Sequence, residues 1–319
     1  MRKVVLPALA ITLFVGLLAG NLLGQRSGGG NSKRANQRPP VKWKKSVLDA
    51  FFADIRKEVG PGDGPGRVIV VPNGGGSTEP GGSSGSSGGF AWSTIVSAET
   101  LEDYIKESIT PLAETVVNPG KFKSGRHRLA RTLYSTLAVT FGVIAQYDGV
   151  SRFKPKAAGL RDKLAQTGLN CKVNSDAAFQ SARRSLEDLQ ALVRGGSLDV
   201  PEAETITDFL KVAERPELMK IMERFRDDEL KPMTASESEY KTNKDVVLSR
   251  GELLAMLAQV ITDESYEYAD DEGYQAHAKQ LQKACADLAA AIKNDDHGKV
   301  QSAVGAINTS CDACHGDWR

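Results

Sequence analysis

The chain is short of the residues that usually announce chemistry, with four cysteines and four histidines among 319. It also lacks an excess of either charge: 41 basic residues stand against 40 acidic ones, a net charge of +1. That balance gives no reason to expect nucleic acid as a partner. No stretch of the main body alternates apolar and polar residues as strands do, so there is no βαβ frame for a thioredoxin-like dithiol. The glycine runs between residues 60 and 89 lack the G-K-[ST] ending and the strand-to-helix setting of a phosphate loop. Apolar content of 40% and charged content of 25% are ordinary for a globular protein, and the length allows two domains.

What is present begins with Arg2 and Lys3, followed by an uncharged run from Val4 to Leu23. The run is just long enough to span a bilayer. Residues 1–24 read as an export segment, a cleaved signal peptide or an uncleaved membrane anchor. No clean A-x-A site and no cysteine for a lipid anchor decides between the two. Arg26, Lys33, Arg34 and Arg38 follow, where the positive-inside rule would favour the cytoplasm. Export is still expected, because the C-terminal motif described below requires it.

Residues 25–95 form a basic, Gly- and Ser-rich linker around one short amphipathic helix over 46–59. Val47, Leu48, Phe51, Phe52, Ile55 and Val59 share one face of that helix, and Ser46 is its candidate N-cap.

From Ser97 onward the pattern is helical. Leu101, Ile105, Ile109 and Leu112 mark one helix, and Leu129, Leu133, Leu137, Phe141 and Ile144 a second. A short third follows Pro155 with Leu160 and Leu164, and a fourth carries Phe179, Ala182, Leu186, Leu189 and Val193. The rhythm then repeats. A region near 204–229 carries Phe209, Leu218, Met222 and Phe225 with Pro216 as an interruption. Helices marked by Val247 to Ile261, Tyr274 to Ile292 and Val300 to Cys311 follow. LAR at 129–131 matches LSR at 248–250, and QSA at 180–182 matches QSA at 301–303, offsets of 119 and 121. An internal duplication is the economical reading. The expected fold is all-α: two tandem four-helix bundles, at 96–196 and 197–319.

The last ten residues read SCDACHGDWR. A structural zinc site would need a fourth ligand that is hard to name, and no second C-x-x-C exists. The remaining use of C-x-x-C-H is covalent attachment of a c-type haem. Cys311 and Cys314 lie one helical turn apart and face the same ring edge, where their thiols add across the vinyl groups; His315 then binds the iron. One covalent haem c is expected. The duplication places CDACH on QALVR at 190–194, so the first bundle should hold no haem.

Cys311, Cys314 and His315 on the last helix of a bundle, followed by Trp318 and Arg319, resemble the ending of the cytochrome c-prime group. The resemblance covers roughly residues 204–319 and reaches the first half only through the repeat. It implies that the first helix of the haem bundle covers the distal face. Some members leave the iron five-coordinate there, and others supply a Met sulfur. It also implies an Arg paired with a haem propionate four residues before the distal residue, a spacing that Arg215 and Met219 have. Met219 is the first choice as sixth ligand, Met222 the second, and packing of both in the core is the alternative. Trp318 and Arg319 are expected near the proximal haem edge. Dimers are common in the family, although nothing in these residues specifies one.

His277 is expected at an edge or on the surface, and His127 and His297 in solvent. Cys285 is expected as a buried free thiol. A disulfide between Cys171 and Cys285, tying the halves together, is the alternative for an exported chain. The expected function is one-electron transfer by an extracytoplasmic cytochrome, periplasmic or otherwise outside, soluble or anchored through residues 4–23. It would exchange electrons with a redox partner protein, and no enzyme activity is expected. The alternatives are a five-coordinate haem that binds or senses NO or CO, with Leu218 over the iron, and a haem-stapled docking module for a redox enzyme.

Overall fold

The computed structural model describes residues 90–205 and 207–318. The export segment, the 46–59 helix, nearly all of the linker and Arg319 lie outside the described residues. Everything described belongs to one compact unit, Ser83–Arg319. It is all helical, with no strand among the described residues, and none of its helices is long and apolar enough to cross a membrane.

Among the described residues, nine helices of seven residues or more carry the fold: α1 Ala98–Glu107, α2 Ile109–Thr115, α3 His127–Ala145, α4 Lys154–Asn170, α5 Asp176–Val193, α6 Arg215–Arg224, α7 Glu237–Val260, α8 Glu272–Lys293 and α9 His297–Asp317. A π-helical segment, Phe225–Leu230, and a turn, Lys231–Met233, prolong α6. Local chemistry sets most of the starts. Ser97, Ser175, Ser236, Asp271 and Asp296 each accept a backbone N–H of the first turn through the side chain. Pro216 sits in the first turn of α6, where its missing N–H costs nothing. It therefore begins the helix instead of interrupting it, and Arg215 through Arg224 form one unbroken register.

The α1–α2 pair packs with α3, α4 and α5, and α6 with its π-helical extension packs with α7, α8 and α9. The central helices are buried on almost every face over much of their length, α7 from Val247 to Val260 and α3 over residues 132–145 without exception. Thr136 and Thr140 satisfy their buried hydroxyls on the carbonyls four residues back. Across the two sets, α3 lies against α6 while α7 lies against α1. Each second helix thus meets the first helix of the other set, the reciprocal pattern of a two-fold interface. Arg250 of α7 bonds Glu107 of α1 at 2.7 Å, and the Ser97 hydroxyl donates to Glu252 at 2.7 Å.

Features of the two halves stand at near-constant spacing. The caps Asn118 and Ser236 are 118 residues apart, as are the non-helical breaks at Gly125 and Asn243. The caps Ser175 and Asp296 are 121 apart. Buried Leu101 and Leu218 are 117 apart, whereas Leu112 and Leu230 are 118 apart. The π-helical segment Phe225–Leu230 lies between, and a π-bulge accommodates one additional residue in a helix.

Several expectations need correction. The helix after Pro155 is long, with 17 residues. Leu129 is 41% exposed and lies off the core face of α3. His127 is buried, with Nδ1 3.2 Å from the Phe122 carbonyl, and His297 stacks on Tyr240, so neither is a solvent histidine. Cys285 is the buried free thiol expected, and Cys171 is likewise free and buried, so the alternative of a disulfide between the halves falls. Burial pushes both thiols up, that of Cys171 to about 12.

Candidate functional site

The last helix delivers its cysteines to a cleft between α6, α8 and α9. One wall is the C-terminal turn of α9, with Ser310, Cys311, Cys314 and His315. The opposite wall is α6, with Met219, Met222 and Glu223, continued by Arg226 in the π-helical segment. Ile261 and, from α8, Tyr274, His277, Ala278 and Leu281 close the remaining side. The cavity volume is about 160 Å³.

The helical register explains this arrangement. On α6, positions 219, 222, 223 and 226 fall on one face, and 217 and 221 fall on the other. Leu218 is fully buried and does not line the cleft, which leaves the methionines as its distal residues. Met222 is buried and Met219 half-buried. Cys311 and Cys314 are half-buried, and His315 is exposed at the mouth. Burial raises both thiols, an effect opposed at Cys311 by the Arg226 guanidinium.

Polar groups collect at the rim. Arg226 donates from Nε and Nη2 to both oxygens of Asp227, at 2.9 and 2.7 Å, and from Nη1 to Asp312 at 3.3 Å. These bonds hold Asp227 down to about 2. Arg215 is not a lining residue of the cleft. Its guanidinium lies over the Tyr268 ring and donates to the Glu267 carbonyl at 3.1 Å. It still acts on Tyr274, whose phenol is raised by burial and pulled back by Arg215. Trp318 packs edge-on against Tyr274 and His277, and an added Cβ on Gly273 would meet its ring at 2.8 Å.

Sequence reasoning found Cys311, Cys314, His315, Met219 and Met222, and the structure brings all five to one cleft. It missed His277, which lines the cleft with Nε2 3.3 Å from Asp317 and a buried Nδ1 without a partner. It also missed Arg226, which stands seven residues after Met219 on the same helical face and was legible by spacing.

The residues present fit a haem. Two thiols one turn apart and an imidazole stand on one wall, thioethers face them, the lining between is mostly apolar, and Lys220 and Arg226 stand at the rim beside Glu223. Among the described residues, no three His, Cys, Asp or Glu side chains converge as a group able to hold a metal ion, which leaves the zinc alternative without a ligand set.

Comparison with known families agrees with this reading of the cleft. Residues 264–319 match the family model described as Cytochrome C', a stretch that spans α8, α9 and the whole C-x-x-C-H motif. The C-terminal part of the chain is thus cytochrome c'-like, and haem is the cofactor that this family implies. No curated protein and no solved structure matches the chain.

Proposed function

We propose that the protein is an extracytoplasmic c-type cytochrome that carries one covalent haem and transfers single electrons. The observation that carries this is the convergence of Cys311, Cys314 and His315 on one wall of an apolar cleft whose other wall presents Met219 and Met222. In this reading Cys311 and Cys314 form the two thioether bonds, and His315 supplies the proximal nitrogen. When bound, the haem supplies a one-electron Fe(III)/Fe(II) couple. Met219, on the facing wall, would supply a thioether ligand to the iron. Arg226 and Lys220, which line the cleft, would receive the propionates in exchange for their present carboxylate partners, with Arg215 as a further cation beyond the lining. Leu281, Ile261 and Ala278 exclude water. No substrate pocket or enzymatic step is part of this role. Residues 1–24 would export the chain, and the partner would be a redox protein on the same side of the membrane.

A five-coordinate haem that binds NO or CO is the second reading. It is favoured by the half-buried state of Met219, which leaves the cleft open on that side. Visible spectra of the purified protein, oxidised and reduced and then with CO, separate the two. A sharp low-spin reduced spectrum that ignores CO supports electron transfer. A high-spin spectrum that shifts at once with CO supports gas binding. Absence of covalent haem after denaturation would sink both.

A further inference from the structure

The α6 helix has two working faces, and the haem-free half of the molecule holds one of them. Glu217 points away from the cleft and is 1% exposed. Its carboxylate accepts from the Thr132 hydroxyl at 2.6 Å and pairs with Arg131 Nη1 at 3.3 Å, both on α3. Arg131 Nη2 also donates to Glu214, the N-cap residue of α6, at 2.6 Å. Lys172, from the end of α4, bonds the other oxygen of Glu214 at 3.0 Å. The first bundle therefore grips the opening turn of α6 through three side chains on two buried or half-buried carboxylates. Five to eight positions further along that helix, Met219 and Met222 form the distal wall. The grip continues to the cleft, because Lys220, a lining residue, also donates to Glu217 at 2.9 Å.

A buried carboxylate tolerates few positions. It needs its partners, and a shift of the helix that separates them leaves a charge unpaired in a region of low dielectric. Glu217 thus fixes α6 against translation and rotation, and rotation is the motion that would swing the two methionines off the cleft.

We infer that the first bundle is a positioning element for the distal wall, and that Arg131 and Thr132, through Glu217, set access to the iron. This rests on the haem reading of the cleft. Arg131 touches neither haem nor iron ligand and acts only through α6.

The test uses the full-length haem protein. Arg131→Gln should give the reduced protein a measurable rate of CO association where Met219 shuts CO out of the wild type, or, on an iron that is already open, raise the CO affinity by at least about fivefold, the low end of coupling between separate sites in one protein. It should also shift the midpoint potential. Arg131→Lys, which keeps the charge, should restore much of both. Thr132→Val removes one hydrogen bond and keeps the ion pair; it should move the CO rate in the same direction by less, and it decides the matter if Arg131→Gln does not fold. Amide exchange over residues 215–224 in haem-free protein provides a readout independent of the iron, and should quicken in Arg131→Gln. Unchanged CO rate and potential in variants with loosened α6 would overturn the inference, as would unchanged exchange. Wild-type protein without covalent haem would instead sink the reading of the site, and amide exchange would still decide whether the clamp holds α6.

Discussion

A Cβ built on Gly159 would lie 2.4 Å from the carbonyl oxygen of Pro201 and 3.1 Å from the Val200 side chain. Gly159 stands on α4, and Val200 and Pro201 belong to the chain between the bundles. That chain thus lies directly against α4, at a point where only a residue without a side chain lets it approach.

Gly159→Ala should therefore lower stability by about 1–3 kcal/mol, since the obstacle is backbone and cannot swing aside. Thermal unfolding followed by circular dichroism measures it. The haem spectrum should not change, because the substitution is remote from Cys311 and Met219. Wild-type stability would mean that the 200–201 segment moves away freely.

The two methionines should separate by substitution. Met219→Ala should convert the reduced protein to a form that binds CO, with a lowered midpoint potential. Met222→Ala removes a buried side chain and should cost about 2–5 kcal/mol while leaving the iron low-spin. If only Met222→Ala opens the iron to CO, the distal ligand is Met222.

Acid should report on the rim. Hydrogen bonds from Arg226 hold the Asp227 carboxyl at about 2, below its usual value near 4. A depressed pKa stabilises the folded state above the unfolded value, and the contribution fades as pH falls towards the folded one. The difference in thermal midpoint between wild type and Asp227→Asn should be largest above pH of about 4 and shrink towards pH of about 2. A difference that stays constant down to pH of about 2 would mean that Arg226 is not what holds Asp227.

Much of this architecture is written locally. The apolar spacing from Leu101 to Ile307 marks the main helices, and C-x-x-C-H marks its wall of the cleft without reference to the fold. The hidden parts depend on long-range contact. His127 reads as a surface residue because charged neighbours flank it, yet its ring packs against Phe122. Arg131 reads as one exposed cation among many, and its value comes from a carboxylate 86 positions away. The π-helical segment Phe225–Leu230 carries no proline or glycine to announce it, so the one-residue shift between Leu218 and Leu230 could not be read from periodicity. Pro216 misleads in the other sense, since the same residue breaks a helix from within and opens one from its first turn.

The two-sided burial of α6 has a consequence in the reverse direction. Coupling between sites is reciprocal: whatever factor the haem-free bundle applies to events at the iron, events at the iron apply to the haem-free bundle. Seating Met219 on the iron must then tighten the hold of Arg131 and Thr132 on Glu217, and an external ligand that displaces it must loosen that hold to the same degree. A protease or a docking protein that meets only the outer surface of α3 and α4 would in that way sense whether the far side of the molecule is loaded. The half with no cofactor becomes the half that displays its presence.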